Sequence, residues 1–262
     1  MSTVAKYLRF TMACWKLNLA GAMEFRMSFL LTAGLMIVNN AVWIFFWQIY
    51  FQRFPIVNGW EVSDVMMLWA VAAGAFGVAN SFFGNADNIG NLIVTGQLDT
   101  YLAQPKPVLL HVLISRMSVS ALGDLLFGFL VYGIFGDHTW IGLGKFVVAL
   151  LLATLVFVFF SVVVQSLAFY VGNSEGLVGQ ELLITFATYP TDIFRGATKV
   201  LLFTALPAGF ISYMPIGLLS DLHPAFLWGA VAVVLVLAVG GTFLFYRGLR
   251  RYGSGNVIGM RM

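Results

Sequence analysis

The sequence predicts an all-α integral membrane protein with six transmembrane helices, and two observations carry that prediction. Only 10% of its 262 residues are charged and 60% are apolar, with a mean hydropathy of +0.92, whereas soluble domains carry about 25% charged residues. The charges are also spaced so that long charge-free gaps remain. A helix needs about 20 mostly apolar residues to cross a hydrocarbon core while satisfying its own backbone hydrogen bonds, and these gaps supply them.

Taken in order, the first segment, Val4 to Phe25, sets Lys6, Arg9 and Lys16 among Tyr7, Leu8, Phe10, Met12, Trp15, Leu17 and Leu19. That pattern suits an N-terminal amphipathic helix lying in the cytoplasmic headgroup layer. The first span is placed at about 28–52. The apolar run that contains it is longer than the core of a cleavable signal peptide, and no small-residue cleavage pattern follows a short core, so none is expected. Trp43, Trp47 and Tyr50 at its outer end, with Trp60, Trp140 and Trp228 elsewhere, read mainly as interface anchors, a stripe of aromatics along a transport path being the alternative. The second span is placed at about 65–84, where Ala70, Gly74 and Gly77 form a small-residue face for close helix approach, within one chain or between two.

The polar stretch 85–107 follows. Ile89, Leu92, Ile93 and Gly96 stand at i, i+3, i+4 and i+7, which predicts a short helix with an apolar stripe that Gly96 ends before Leu98 to Leu102 make a further turn. Pro105 and Pro107 stop that turn before the third span at 108–135. A short amphipathic helix in a loop leaves two readings open, a spacer lying in the headgroups and a docking surface for a soluble partner.

The third span contains Arg116 and Asp124, eight residues and about 12 Å apart along a helix, too far to pair directly. Arg116 is expected to snorkel to the cytoplasmic interface; Asp124 is expected to face a conduit or subunit interface, or to accept structural hydrogen bonds. The fourth span is placed at 146–171 and the fifth at 176–194, with Glu175 and Glu181 at its start read as solvated or in contact with a partner. Region 196–216 is apolar but interrupted by Pro207, Pro215, Gly196 and Gly209, which predicts two half-helices reversing near Leu206 to Gly209; a seventh span over Val200 to Leu219 is the alternative. The last span is placed at 224–246. The whole of 1–262 reads as one membrane domain.

With both termini inside, the inner segments hold nine Lys and Arg (Lys6, Arg9, Lys16, Arg26, Lys106, Arg247, Arg250, Arg251, Arg261) and the outer ones four (Arg53, Lys145, Arg195, Lys199). That bias places both termini in the cytoplasm. A net charge of only +3 gives no basic surface for nucleic acid. The single Cys14 forms no internal disulfide, and His111, His138 and His223 lack metal-ligand spacing. A phosphate-cradling loop is also missing, since Gly142-Leu-Gly-Lys145-Phe146 has neither its spacing nor its hydroxyl residue.

Gly96-Gln97-Leu98-Asp99-Thr100-Tyr101-Leu102-Ala103-Gln104-Pro105 resembles the Gly-x-Leu-Asp-x-x-Leu-x-x-Pro signature of the membrane permeases of type-2 ATP-binding-cassette (ABC) exporters. Tyr189-Pro190, Leu206 to Ile211 and Met214-Pro215 resemble the outer proline-rich region of a bacterial branch of that family, and Arg251 to Asn256 resembles its tail. The resemblance implies a coupling helix at about Asp87 to Leu102, including Asp87, Ile89, Leu92, Ile93, Gly96, Gln97, Leu98, Asp99, Tyr101, Leu102 and Pro105, that inserts into an ATPase subunit. It implies outer half-helices at Ala197 to Leu206 and Ala208 to Tyr213, and an assembly of two cytosolic ATPase subunits with this chain and a second permease, a copy or a paralogue, in the lipid of the bacterial cytoplasmic membrane. ATP and Mg would then belong to the ATPase, with no cofactor on this chain and no enzymatic step in it. The cargo would be hydrophobic or amphiphilic: a drug, a lipid or a lipid-linked glycan. A gradient-driven secondary transporter or channel is the rival reading; it usually places several acids at the midplane, where this chain has Asp124 alone. A membrane enzyme would need a cluster of His, Asp, Glu or Cys that the sequence lacks.

Overall fold

A computed structural model describes residues 3–173, 177–213, 217, 219 and 224–253. The described residues are mainly helical, with one isolated bridge between Val57 and Trp60 in the turn that joins the first two long helices. Helix α1 (Thr3–Ala22) covers the expected basic segment. It is tied down by Trp15 Nε1 donating to the Phe82 carbonyl at 2.8 Å and by Asn18 Nδ2 donating to the Ile114 carbonyl at 3.0 Å.

Four helical runs are long and apolar enough to cross a membrane: α2 (Arg26–Arg53), α3 (Val62–Phe82), the run Trp140–Val171 made of α8 (Trp140–Ser166) and α9 (Ala168–Val171), and the terminal helix Pro224–Leu249. Shorter helices lie between α3 and that terminal helix, among them α4 (Ile89–Val94), α5 (Asp99–Leu102), α6 (Val108–Ile114), α7 (Val119–Phe135) and α10 (Gly179–Ala187). The terminal helix is α12, and α11 is Ala197–Leu201.

The third span differs from the straight helix expected over 108–135. It is a bent pair, α6 and α7, at 77° to one another. The break falls at Ser115 to Ser118. Ser115 Oγ bonds back to the Val112 carbonyl at 2.7 Å, and the Ser118 amide is taken by the Asn80 carbonyl at the end of α3 (3.0 Å), so the chain exchanges its own helical ladder for bonds to a neighbour. Counted as one span, the pair raises the number to five. The fifth span expected at 176–194 contains the nine-residue α10 followed by a 3-10 turn at Thr191–Ile193; α10 is about 14 Å long, half of a hydrocarbon core.

The long helices pack in the order α2, α7, α3, α8, α12. Small residues on α3 and α7 permit this. A Cβ on Gly128 would lie 2.6 Å from the Ala70 carbonyl and 2.7 Å from Gly74 Cα; one on Gly77 would lie 2.3 Å from the Leu125 nitrogen; one on Gly123 would lie 2.2 Å from the Ala33 carbonyl. The Ala70, Gly74 and Gly77 face is thus consumed within the chain, between α3 and α7, where dispersion and close backbone contact replace the hydrophobic drive that lipid does not supply.

The region after α10 makes a tight reversal. α11 is followed by a 3-10 turn at Pro207–Phe210, and the reversal is closed by Leu206 N to Leu201 O (3.0 Å) and Gly209 N to Leu202 O (2.9 Å). Asp192 braces it, pairing with Lys199 at 2.5 Å and accepting Trp60 Nε1 at 3.0 Å. Pro215, Met214, Glu175, Gly176, His223 and Ser254 to Asn256 lie outside the described residues.

Candidate coupling segment and membrane cavity

Between α3 and α6 the chain folds into a compact polar platform. A 3-10 turn at Ala86–Asn88 leads into α4, Gly96 takes φ +75°, and α5 follows. The left-handed backbone at Gly96 is the reason a residue without Cβ ends α4 there. Leu98 then folds back, its amide donating to the Leu92 carbonyl at 3.1 Å. Ile89, Leu92, Ile93 and Leu98 are all buried, Ile89 and Leu98 completely, against α8 and α9 and the platform itself. The apolar stripe therefore holds the segment to its own chain. The exposed side is a different set: Asn91, Thr95, Gln97, Thr100, Leu102, Ala103, Gln104 and Pro105.

Hydrogen bonds fix the platform. Gln165 near the end of α8 accepts the Gly90 amide at 3.1 Å and donates to the Leu177 carbonyl at 3.0 Å. Asn85 donates to Ser115 Oγ (2.9 Å) and Tyr101 Oη (3.3 Å), tying α5 to the bend before α7. Asp87 faces α8 and α10: with its amide nitrogen turned towards the carboxylate, Gln180 donates to Asp87 and accepts from Asn80 Nδ2 at 3.0 Å. Burial raises the Asp87 carboxyl to about 6, the nearby Glu181 adds to the rise, and Ser161 opposes it. Beyond α12, Tyr252 reaches the platform. Its hydroxyl is 4.0 Å from the Cβ position of Gly96, and burial, with the Asp99 carboxylate close by, pushes its phenol up to about 12.

At membrane depth a cavity of about 370 Å³ opens between α2, α3, α7 and the α10 segment. Asp124 lines it, 3% exposed, with Oδ1 accepting Asn40 Nδ2 at 2.6 Å and Oδ2 without a partner. Asn40 is midway along α2, about 21 Å from Arg26. Trp43 and Trp69 stack on the cavity wall, centroids 5.8 Å apart and planes 21° apart.

The sequence profile of a family described as "ABC-2 family transporter protein" matches residues 37–255, more than four fifths of the chain. The chain belongs to this ABC-2 transporter permease family. Neither the curated proteins nor the solved structures give a match.

In this ABC-2 family chain the structure brings the residues of 85–107 together and separates the membrane pair. Arg116 sits exposed on the bend between α6 and α7. Leu98 belongs to the buried underside of the platform, so its role is to hold the segment. Trp43 and Trp47 turn inward, Trp43 to the cavity and buried Trp47 onto Tyr189 (6.0 Å), whereas Trp140 and Trp228 are 89% and 68% exposed. Pro207 and Gly209 lie buried in the reversal after α11. Three residues escaped the sequence reading: Asn40, Gln165 and Gln180. The signal was present, an uncharged amide inside or beside an apolar run, where burial without a partner is costly.

Proposed function

We propose that the chain is the permease subunit of an ATP-driven exporter that moves a hydrophobic or amphiphilic substrate across a bacterial cytoplasmic membrane. ATP is hydrolysed on a separate cytosolic chain; two such ATPase subunits and a second permease, identical or paralogous, complete the assembly. The observation that carries this reading is the platform at 85–107, clamped to α8 by its apolar stripe and by Gln165, and presenting Gln97, Thr100, Leu102 and Gln104 outward. A surface that is rigid underneath and polar on top suits a partner that pushes, because a displacement applied to it passes to α8 and to the α6–α7 bend. In the proposed topology the short α10 and its flanking coil complete an even number of crossings, which keeps both termini in the cytoplasm in accord with the Lys and Arg distribution.

The test is co-purification of a Walker-motif ATPase with this chain from its native membrane. Leu102→Glu and Gln97→Arg, both at exposed positions, are expected to leave the yield and thermal midpoint of the purified permease unchanged and to reduce ATPase co-purification at least tenfold. Undiminished association by both variants would remove the platform from the coupling role.

A further inference from the structure

The cavity beside Asp124 has a chemistry that selects its occupant. Its carboxyl is 3% exposed at the depth of the middle of α2, and one oxygen is satisfied by Asn40 while the other has no partner. Among the described residues no Lys, Arg or His lines the cavity, and no salt bridge reaches Asp124. A carboxylate in such surroundings is expensive unless a positive charge compensates it, and charge attraction across a few ångströms of low-dielectric interior needs no direct contact with the oxygen. The stacked Trp43 and Trp69 supply the second element, since indole faces attract cations, most strongly where water is excluded. Met36, Ala73 and Ile184 supply the third, an apolar wall. The volume falls within the range of small-molecule pockets.

We propose that this cavity binds an organic cation with an apolar body, its charge held between the Asp124 carboxylate and the indoles of Trp43 and Trp69. This names the class of cargo for the permease reading above and rests on it. An anion of the same shape meets the uncompensated carboxylate and the negative faces of the rings, so the site discriminates by sign of charge as well as by apolarity.

The experiment uses the purified full-length chain in lipid nanodiscs and two probes of nearly the same shape, tetraphenylphosphonium and tetraphenylborate, with saturable binding measured by equilibrium dialysis against empty nanodiscs. Tetraphenylphosphonium is expected to saturate one site per chain, and tetraphenylborate to show only lipid partitioning. Asp124→Asn keeps the shape and the Asn40 hydrogen bond and is expected to weaken the cation at least tenfold. Trp43→Leu, at a position 39% exposed and so tolerant of change, is expected to weaken it severalfold and guards against a folding defect in the first variant. Equal affinity in Asp124→Asn and the natural chain, equal saturable binding of both probes, or no saturable site for the cation each overturns the proposal. Co-purification of the ATPase is scored on the same preparations. ATPase retained without cation binding removes the cargo class alone, whereas a natural chain that associates with no ATPase removes the permease reading.

Discussion

The seam between α3 and α7 and the platform at 85–107 hold the same chain together by opposite means. The seam is closed by shape: Gly77 against Leu125 and Gly128 against Ala70 and Gly74, with no room for a methyl group. The platform is closed by polar ties, through Gln165, Asn85 and Gln180, over a small apolar underside. The difference teaches where the molecule can yield. In lipid a separated seam gains nothing from solvent, and its geometry has one solution. At the platform the ties run through buried or half-buried groups, so breaking one leaves a polar group without its partner and the segment moves as a unit.

The strongest way to break this contrast is to fill the seam. Gly128→Leu or Gly77→Leu places side-chain atoms where backbone already stands, and no monodisperse protein is expected from size-exclusion of either variant, whereas Gly133→Ala, with nothing within 4 Å, is expected to behave as the natural chain. Leu98→Glu comes next. It puts a charge at a completely buried position of the platform, at a cost of more than about 4 kcal/mol; loss of protease protection over 85–107 with the long helices retained would be its signature, and full protection would show that the underside is not a core.

A milder variant sharpens the polar half of the comparison. The folded chain keeps the Asp87 proton up to about pH 6 against 3.8 for the free group, so this residue's contribution to stability is full below about pH 4 and is lost as the pH rises through 6. Asp87→Asn is therefore expected to raise the thermal midpoint at pH 7.5 by about 2–4 °C and to flatten its dependence between pH 5 and 7.5; an unchanged slope would show that Asp87 is solvated. The smallest effect belongs to Tyr252→Phe, which removes a buried hydroxyl close to Asp99, a change of about 1 kcal/mol. Faster amide exchange confined to α5 is the expected readout.

The seam and the turns of the platform were legible in the residues because each rests on local rules. Small residues at helical spacing announce close approach, the i, i+3, i+4 stripe announced α4, and glycine at 96 announced where it stops. What the sequence concealed was direction. Apolarity gives the length of 108–135 but not its bend, which depends on Asn80 accepting the Ser118 amide from another helix. Periodicity gives the stripe but not whether it meets a partner or its own chain; Leu98 lies on the buried underside of the segment. The pairing of Asn40 with Asp124 joins residues 84 apart, a distance over which no local rule operates.

Gln165 deserves a last consequence. Its one amide grips the Gly90 nitrogen with its oxygen and the Leu177 oxygen with its nitrogen, so two separate turns of the polypeptide are riveted at a single point. With contacts of 3.1 and 3.0 Å, a slide of about half an ångström at one turn strains the rivet towards its geometric limit. The two turns must travel as a pair, or else part at that amide first.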